Sequence, residues 1–115
     1  MITIYGIANC DTMKKARAWL DQHGVDYTFH DYKKSGIDEK RLRLWANELG
    51  WQTLLNTRGM MWRKLPQEAR DNIDAASAIA LMLATPSIIK RPVLDTGTAR
   101  HIGFKPDLYA EIFDQ

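Results

Sequence analysis

The one cysteine of this chain, Cys10, lies in Gly6-Ile7-Ala8-Asn9-Cys10-Asp11-Thr12-Met13-Lys14, between an apolar stretch and the start of a helical pattern. A helix N-terminus presents unpaired N–H groups and a partial positive charge. Both favour the thiolate, the nucleophilic form, over a thiol whose free pKa is about 8.5. Lys14, one turn on, would add a full positive charge, and Asn9 and Thr12 would offer hydrogen bonds to the sulfur. Placement alone leaves two readings open: a reactive thiolate, or a small buried hydrophobe. The polar neighbours Asn9, Asp11 and Thr12 speak against a purely apolar pocket, while the Asp11 carboxylate opposes a nearby anion. Met13 stands where a CxxC motif would have its second cysteine. A disulfide on Cys10 must therefore be mixed, with an external thiol such as glutathione, and a further thiol must release it by exchange.

Two other stretches carry candidate chemistry. In Ile88-Ile89-Lys90-Arg91-Pro92-Val93 a proline leads from loop into strand, where it cannot donate to the ladder. In a thioredoxin topology this turn lies beside the reactive cysteine. Arg91 there would grip a carboxylate or phosphate-like anion with its planar fork. Arg58 lies in the loop Asn56-Thr57-Arg58-Gly59, and loops on a rigid scaffold often carry binding groups. Taken singly, each arginine reads equally as solvated surface. His23, His30 and His101 are scattered without metal-ligand spacing, so no metal site is expected.

The elements that must hold these residues follow from periodicity. Ile2, Ile4 and Tyr5 read as a short buried strand ended at Gly6. From Asp11 to His23, Met13, Ala16 and Leu20 share one helical face, and Gly24 suits the residue just past the end. Val25 to Asp31 reads as a second strand, parallel to the first in a βαβ unit. Then come a turn at Ser35-Gly36, a helix capped by Asp38 and closed at Gly50, a short helix over 51–55, a loop over 56–64, and polar turns behind Pro66. A nearly all-apolar, hence buried, helix over 75–83 follows, capped by Asp74. Val93–Asp95 and Thr98–Ile102 form a hairpin around Thr96-Gly97, and Pro106 opens a last helix. The order, βαβ, helical insert, ββα, predicts an α/β (α+β) class, thioredoxin-like or glutaredoxin-like, with a four-stranded mixed sheet. The chain is expected to be a single domain over 1–115 with a helical insert at about 37–86.

With 115 residues, 45% hydrophobic and 26% charged, the composition is that of an ordinary soluble domain. A net charge of +2 without a long basic run gives no case for nucleic acid. The longest apolar stretch falls well short of the roughly 20 residues of a membrane span, and the N-terminus does not read as a signal peptide. With a lone cysteine, the expected compartment is a reducing cytoplasm.

Tyr5, Asn9-Cys10-Asp11-Thr12 with Lys14, Asn56-Thr57-Arg58-Gly59 and Ile89-Lys90-Arg91-Pro92 together resemble the ArsC family, over essentially the whole chain. That family holds glutaredoxin-coupled arsenate reductases and Spx-like proteins. The likeness is strongest to its YffB-like branch, small bacterial proteins regarded as glutathione-dependent thiol reductases. The resemblance implies a thioredoxin-fold core, Cys10 as the nucleophile, Arg91-Pro92 as a cis peptide, and Asn9, Thr12, Lys14, Arg58, Arg91, Pro92 and Lys105 around a glutathione site. It implies glutathione as co-substrate, with no tightly bound cofactor, glutaredoxin as a candidate partner, and a monomer. Three positions depart from the arsenate reductases. Gly6 replaces a histidine, Lys14 an arginine in the turn after the cysteine, and Lys105 an arginine before a proline. Lysine keeps the charge and loses the bidentate grip, so an arsenate oxyanion would be held less well. Arsenate reduction and a non-catalytic, Spx-like RNA polymerase-binding role are the competing expectations.

Overall fold

A computed structural model describes residues 1–114. In chain order the elements are β1 (Thr3–Gly6), α1 (Asp11–Gln22), β2 (Thr28–Asp31), α2 (Tyr32–Ser35), α3 (Glu39–Leu49), α4 (Trp51–Leu54), α5 (Met60–Arg63), α6 (Gln67–Asp71), α7 (Ala75–Ala84), a 3-10 turn (Pro86–Ile88), β3 (Val93–Asp95), β4 (Arg100–Ile102) and α8 (Pro106–Ile112). The described residues form two compact units, 1–32 with 91–114, and 33–90. The expected insert, about 37–86, falls inside the second.

The first unit is built on a four-stranded sheet of order β2-β1-β3-β4. β1 is parallel to β2 and antiparallel to β3, and β3 is antiparallel to β4. This is the mixed thioredoxin-like sheet that the βαβ–ββα order predicts. α1 forms because its apolar residues recur at helical spacing: Met13, Ala16, Trp19 and Leu20 are buried. They meet Ile4, Leu94 and Tyr109 in one core. Leu20 is fully buried, so Leu20→Ala would cost about 2–5 kcal/mol. The helix ends at Gly24, whose φ of +68° is left-handed. The Val25 N–H then donates back to the Leu20 carbonyl at 3.0 Å. That bond accounts for a correction: Val25 belongs to the helix exit, and β2 starts only at Thr28. Val25, Tyr27 and Phe29 pack on the core.

The second unit is helical. Asp38 caps α3 by accepting from the Arg41 N–H at 3.0 Å, and the helix buries Leu42 and Trp45. Leu55 bridges Ile89, and the Lys90 N–H donates to the Leu54 carbonyl at 2.7 Å, tying the middle of the unit to its C-terminal end. Two expectations change here. The stretch 56–64 is not all loop, because Met60–Arg63 closes one turn too short for periodicity to reveal. Nor is α7 buried all round. Ala78, Ile79 and Met82 are inside, while Ala75, Ala76, Ala80 and Ala84 are exposed. Alanine is a strong helix former with little apolar area, so an alanine-rich run reads as more buried than it is.

Candidate active site

Cys10 occupies the N-cap position of α1, half-buried at the C-terminal end of β1, with extended backbone (φ −144°, ψ 126°). The Lys14 N–H closes the first helical turn onto the Cys10 carbonyl at 2.9 Å. The thiol closes no capping hydrogen bond, yet the surrounding groups act on its ionisation. Burial pushes the thiol pKa up. It is outweighed by the Met13 N–H, by the Arg91 guanidinium acting as donor and as positive charge, and by the Thr12 N–H. The net result is a thiol held below its ordinary range. This is what an N-cap does for an anion: free amides of the first turn point at it.

The sheet delivers Arg91 to this place. Tyr5 pairs with Val93, so the chain entering β3 passes beside the end of β1 that leads to Cys10. The Arg91–Pro92 peptide is cis, as the family resemblance implies, and Pro92 is buried. The Pro92 carbonyl accepts from the Gly103 N–H at 2.8 Å.

The remaining expected residues fall less closely. Asn9 and Lys14 are exposed, and the ammonium of Lys14 is not among the groups that lower the thiol. Thr12 acts through its backbone rather than its hydroxyl. Lys105 is exposed at the N-cap of α8. Arg58 belongs to the second unit, exposed in a turn where the Asn56 Oδ1 accepts its N–H at 3.1 Å. Among the described residues no group of three or more His, Cys, Asp or Glu side chains is placed to hold a metal ion.

Two departures noted in the sequence turn out to be one packing solution. A Cβ on Gly6 would run into the Met13 thioether. Met13, standing where a second cysteine would be, fills the space a side chain at position 6 would need. Tyr32 was not anticipated at all. It is buried beside Tyr5 and within electrostatic reach of Arg91. The only sequence signal for it is an aromatic residue directly after β2.

Comparison with known proteins agrees with this fold. The profile of the ArsC family matches residues 5–112. A solved structure called YffB protein is 57% identical, covers 96% of this chain and 97% of its own, and superposes with a TM-score of 0.92. An arsenate reductase (ArsC) related protein from Brucella melitensis is 55% identical over 99% of this chain and 95% of its own, with a TM-score of 0.80. The global transcriptional regulator Spx of Streptococcus mutans is 30% identical over 93% of this chain and 79% of its own. The chain belongs to the ArsC family.

Proposed function

We propose that the protein is a glutathione-dependent thiol reductase with Cys10 as its nucleophile. The observation that carries this reading is a lone thiol at a helix N-cap, lowered by Arg91 and two backbone amides, with no second cysteine to resolve it. The Cys10 thiolate attacks the glutathione sulfur of a mixed disulfide, RS–SG. The Cys10–SG bond forms as the RS–SG bond breaks, and RS⁻ leaves to take a proton from water. A second glutathione thiolate then attacks the sulfur of the bound glutathione, giving oxidised glutathione and returning Cys10 as the thiolate. The incoming glutathione thiolate is the reductant: its sulfur goes from thiol to disulfide as RS goes from disulfide to thiol, and the glutathione sulfur passed through Cys10 is a disulfide sulfur at start and end. Arg91 holds a glutathione carboxylate, with Lys14, Lys105, Asn9 and Thr12 as further contacts on the unit that carries Cys10. Glutaredoxin is the protein partner this scheme allows in the resolving step, and the cytoplasm is the compartment it suits.

The test is turnover of a small glutathione mixed disulfide with reduced glutathione, read as oxidised glutathione formed. Mass spectrometry of the trapped enzyme supplies a second readout. Wild type should turn over and carry one glutathione on Cys10, and Cys10→Ser should do neither. Equal turnover by both proteins, or no adduct on wild type, would overturn the reading. Arg58→Ala in the same assay shows whether that arginine contributes to glutathione use. Similarity to an arsenate reductase related protein favours arsenate as a second substrate. Gly6 and Lys105 weigh against it, and arsenate turnover with glutathione and glutaredoxin decides. The likeness to Spx favours a regulatory role, and such a role would survive Cys10→Ser.

A further inference from the structure

Tyr32 has 4% of its surface exposed, and its hydroxyl has no hydrogen-bond partner among the described residues. A buried hydroxyl left unpaired destabilises the fold, so its retention calls for a reason. Its ring lies 6.4 Å from that of Tyr5 and meets His30 edge-on at 5.9 Å, and Tyr5 and His30 are 4.8 Å apart. The three rings form a wall at the end of β1 that leads to Cys10. The pairing registers connect this wall to Arg91. On one side β1 pairs Gly6 with Asp31, and on the other it pairs Tyr5 with Val93. Followed past the strand ends, both ladders lead to Ile7, with Tyr32 on one flank and Arg91 on the other. Chains on either side of a common strand are about 10 Å apart, a gap that a phenol and a guanidinium reaching inward can close. Burial first, then Tyr5, push the phenol pKa far up against the opposing pull of Arg91, so Tyr32 stays neutral. The oxygen is not hydrogen-bonded to the guanidinium, so what a neutral phenol offers the cation is the negative end of its dipole.

We propose that Tyr32 is a positioning residue that acts through Arg91: its buried, unpartnered oxygen faces the guanidinium and holds it against the Cys10 sulfur. In surroundings of low dielectric a fixed dipole beside a charge is stronger than in water. The hydroxyl is thus kept at a cost to the fold because it orients the cation that lowers the thiol. The proposal rests on Cys10 being the reactive group, but its test reads ionisation of the sulfur and needs no turnover.

The experiment measures the pH dependence of Cys10 alkylation by iodoacetamide in the full chain, for wild type, Tyr32→Phe, Arg91→Ala and the double variant. Tyr32→Phe keeps the ring wall and removes only the oxygen. It should move the alkylation midpoint upward, in the same direction as Arg91→Ala, and slow alkylation several-fold at neutral pH, with a melting temperature no lower than wild type. In the Arg91→Ala background it should add nothing, because the two act as one unit. An unchanged midpoint in folded Tyr32→Phe would overturn the proposal, as would a shift that persists in full without Arg91. A coupled shift in a protein that fails to exchange glutathione would support Tyr32 positioning and sink the reductase reading instead.

Discussion

Two helices of this protein start in opposite ways. At the N-terminus of α7, Asp74 accepts from the Ser77 N–H at 2.8 Å, and the Ser77 hydroxyl accepts from the Asp74 N–H at 2.9 Å. This reciprocal box satisfies the first turn. At the N-terminus of α1 the cap position goes to Cys10, which closes no such bond. Both caps have their acidity raised, Asp74 chiefly by the Ser77 backbone and hydroxyl, Cys10 by backbone amides and Arg91 against its burial. At one terminus the amides meet a carboxylate and a hydroxyl in a closed box, and at the other they act on the acidity of a thiol. The contrast teaches that an under-used cap can mark a site.

The largest expected effect breaks that contrast outright. Cys10→Ser should reduce thiol-exchange activity to the uncatalysed level, measured by glutathione turnover. Serine is among the best N-cap residues, so the same change should stabilise the fold by about 0.5–1 kcal/mol. A denaturant midpoint that falls instead would show that the cysteine already serves as a cap. Arg91→Ala comes next, with an expected loss of about 10-fold to 100-fold in kcat/KM, the scale of one charge-assisted hydrogen bond. Arg91→Lys should recover only part of it, because the planar fork is lost.

Asp74→Ala should lower the melting temperature by a few degrees and leave the pH profile of Cys10 alkylation unchanged. A shifted profile would mean that the two termini are not independent. A smaller effect is on stability against pH. Because the folded thiol ionises below the unfolded one, the folded state binds fewer protons between the two pKa values. Stability should therefore rise with pH through that window, hold above it, and lose this contribution as pH falls through the folded value. Difference denaturation curves of wild type and Cys10→Ser should show that slope in wild type alone. Smallest of all is Lys14→Ala, which should barely move the Cys10 alkylation midpoint, because the exposed ammonium is not among the groups that hold the thiol down.

What was legible in the sequence follows from range. Met13, Ala16 and Leu20 announce the face of α1 because helical periodicity is local, and Asp38 and Asp74 announce helix starts for the same reason. Cys10 before Asp11 places the thiol at a helix start with no more than that. Arg91 needed the topology: eighty residues lie between it and Cys10, and the antiparallel pairing of β1 with β3 brings it back. Lys14 stands apart: it is not among the groups that lower the thiol, and proximity along a helix says nothing of where a flexible ammonium settles in solvent. The amides of Thr12 and Met13 act through the backbone, which every residue has, so residue type could not single them out. Tyr32 was missed because an orphaned hydroxyl is a property of packing. The exposed alanines of α7 misled because hydropathy counts a methyl as apolar wherever it points.

The proposed role of Cys10 requires a thiol held more acidic than a free one by a helix start and Arg91, and alkylation rate against pH tests it most directly. Wild type should titrate with a midpoint below that of a free cysteine, and Arg91→Ala should titrate higher. A wild-type midpoint at or above that of a free cysteine, indifferent to residue 91, would contradict it.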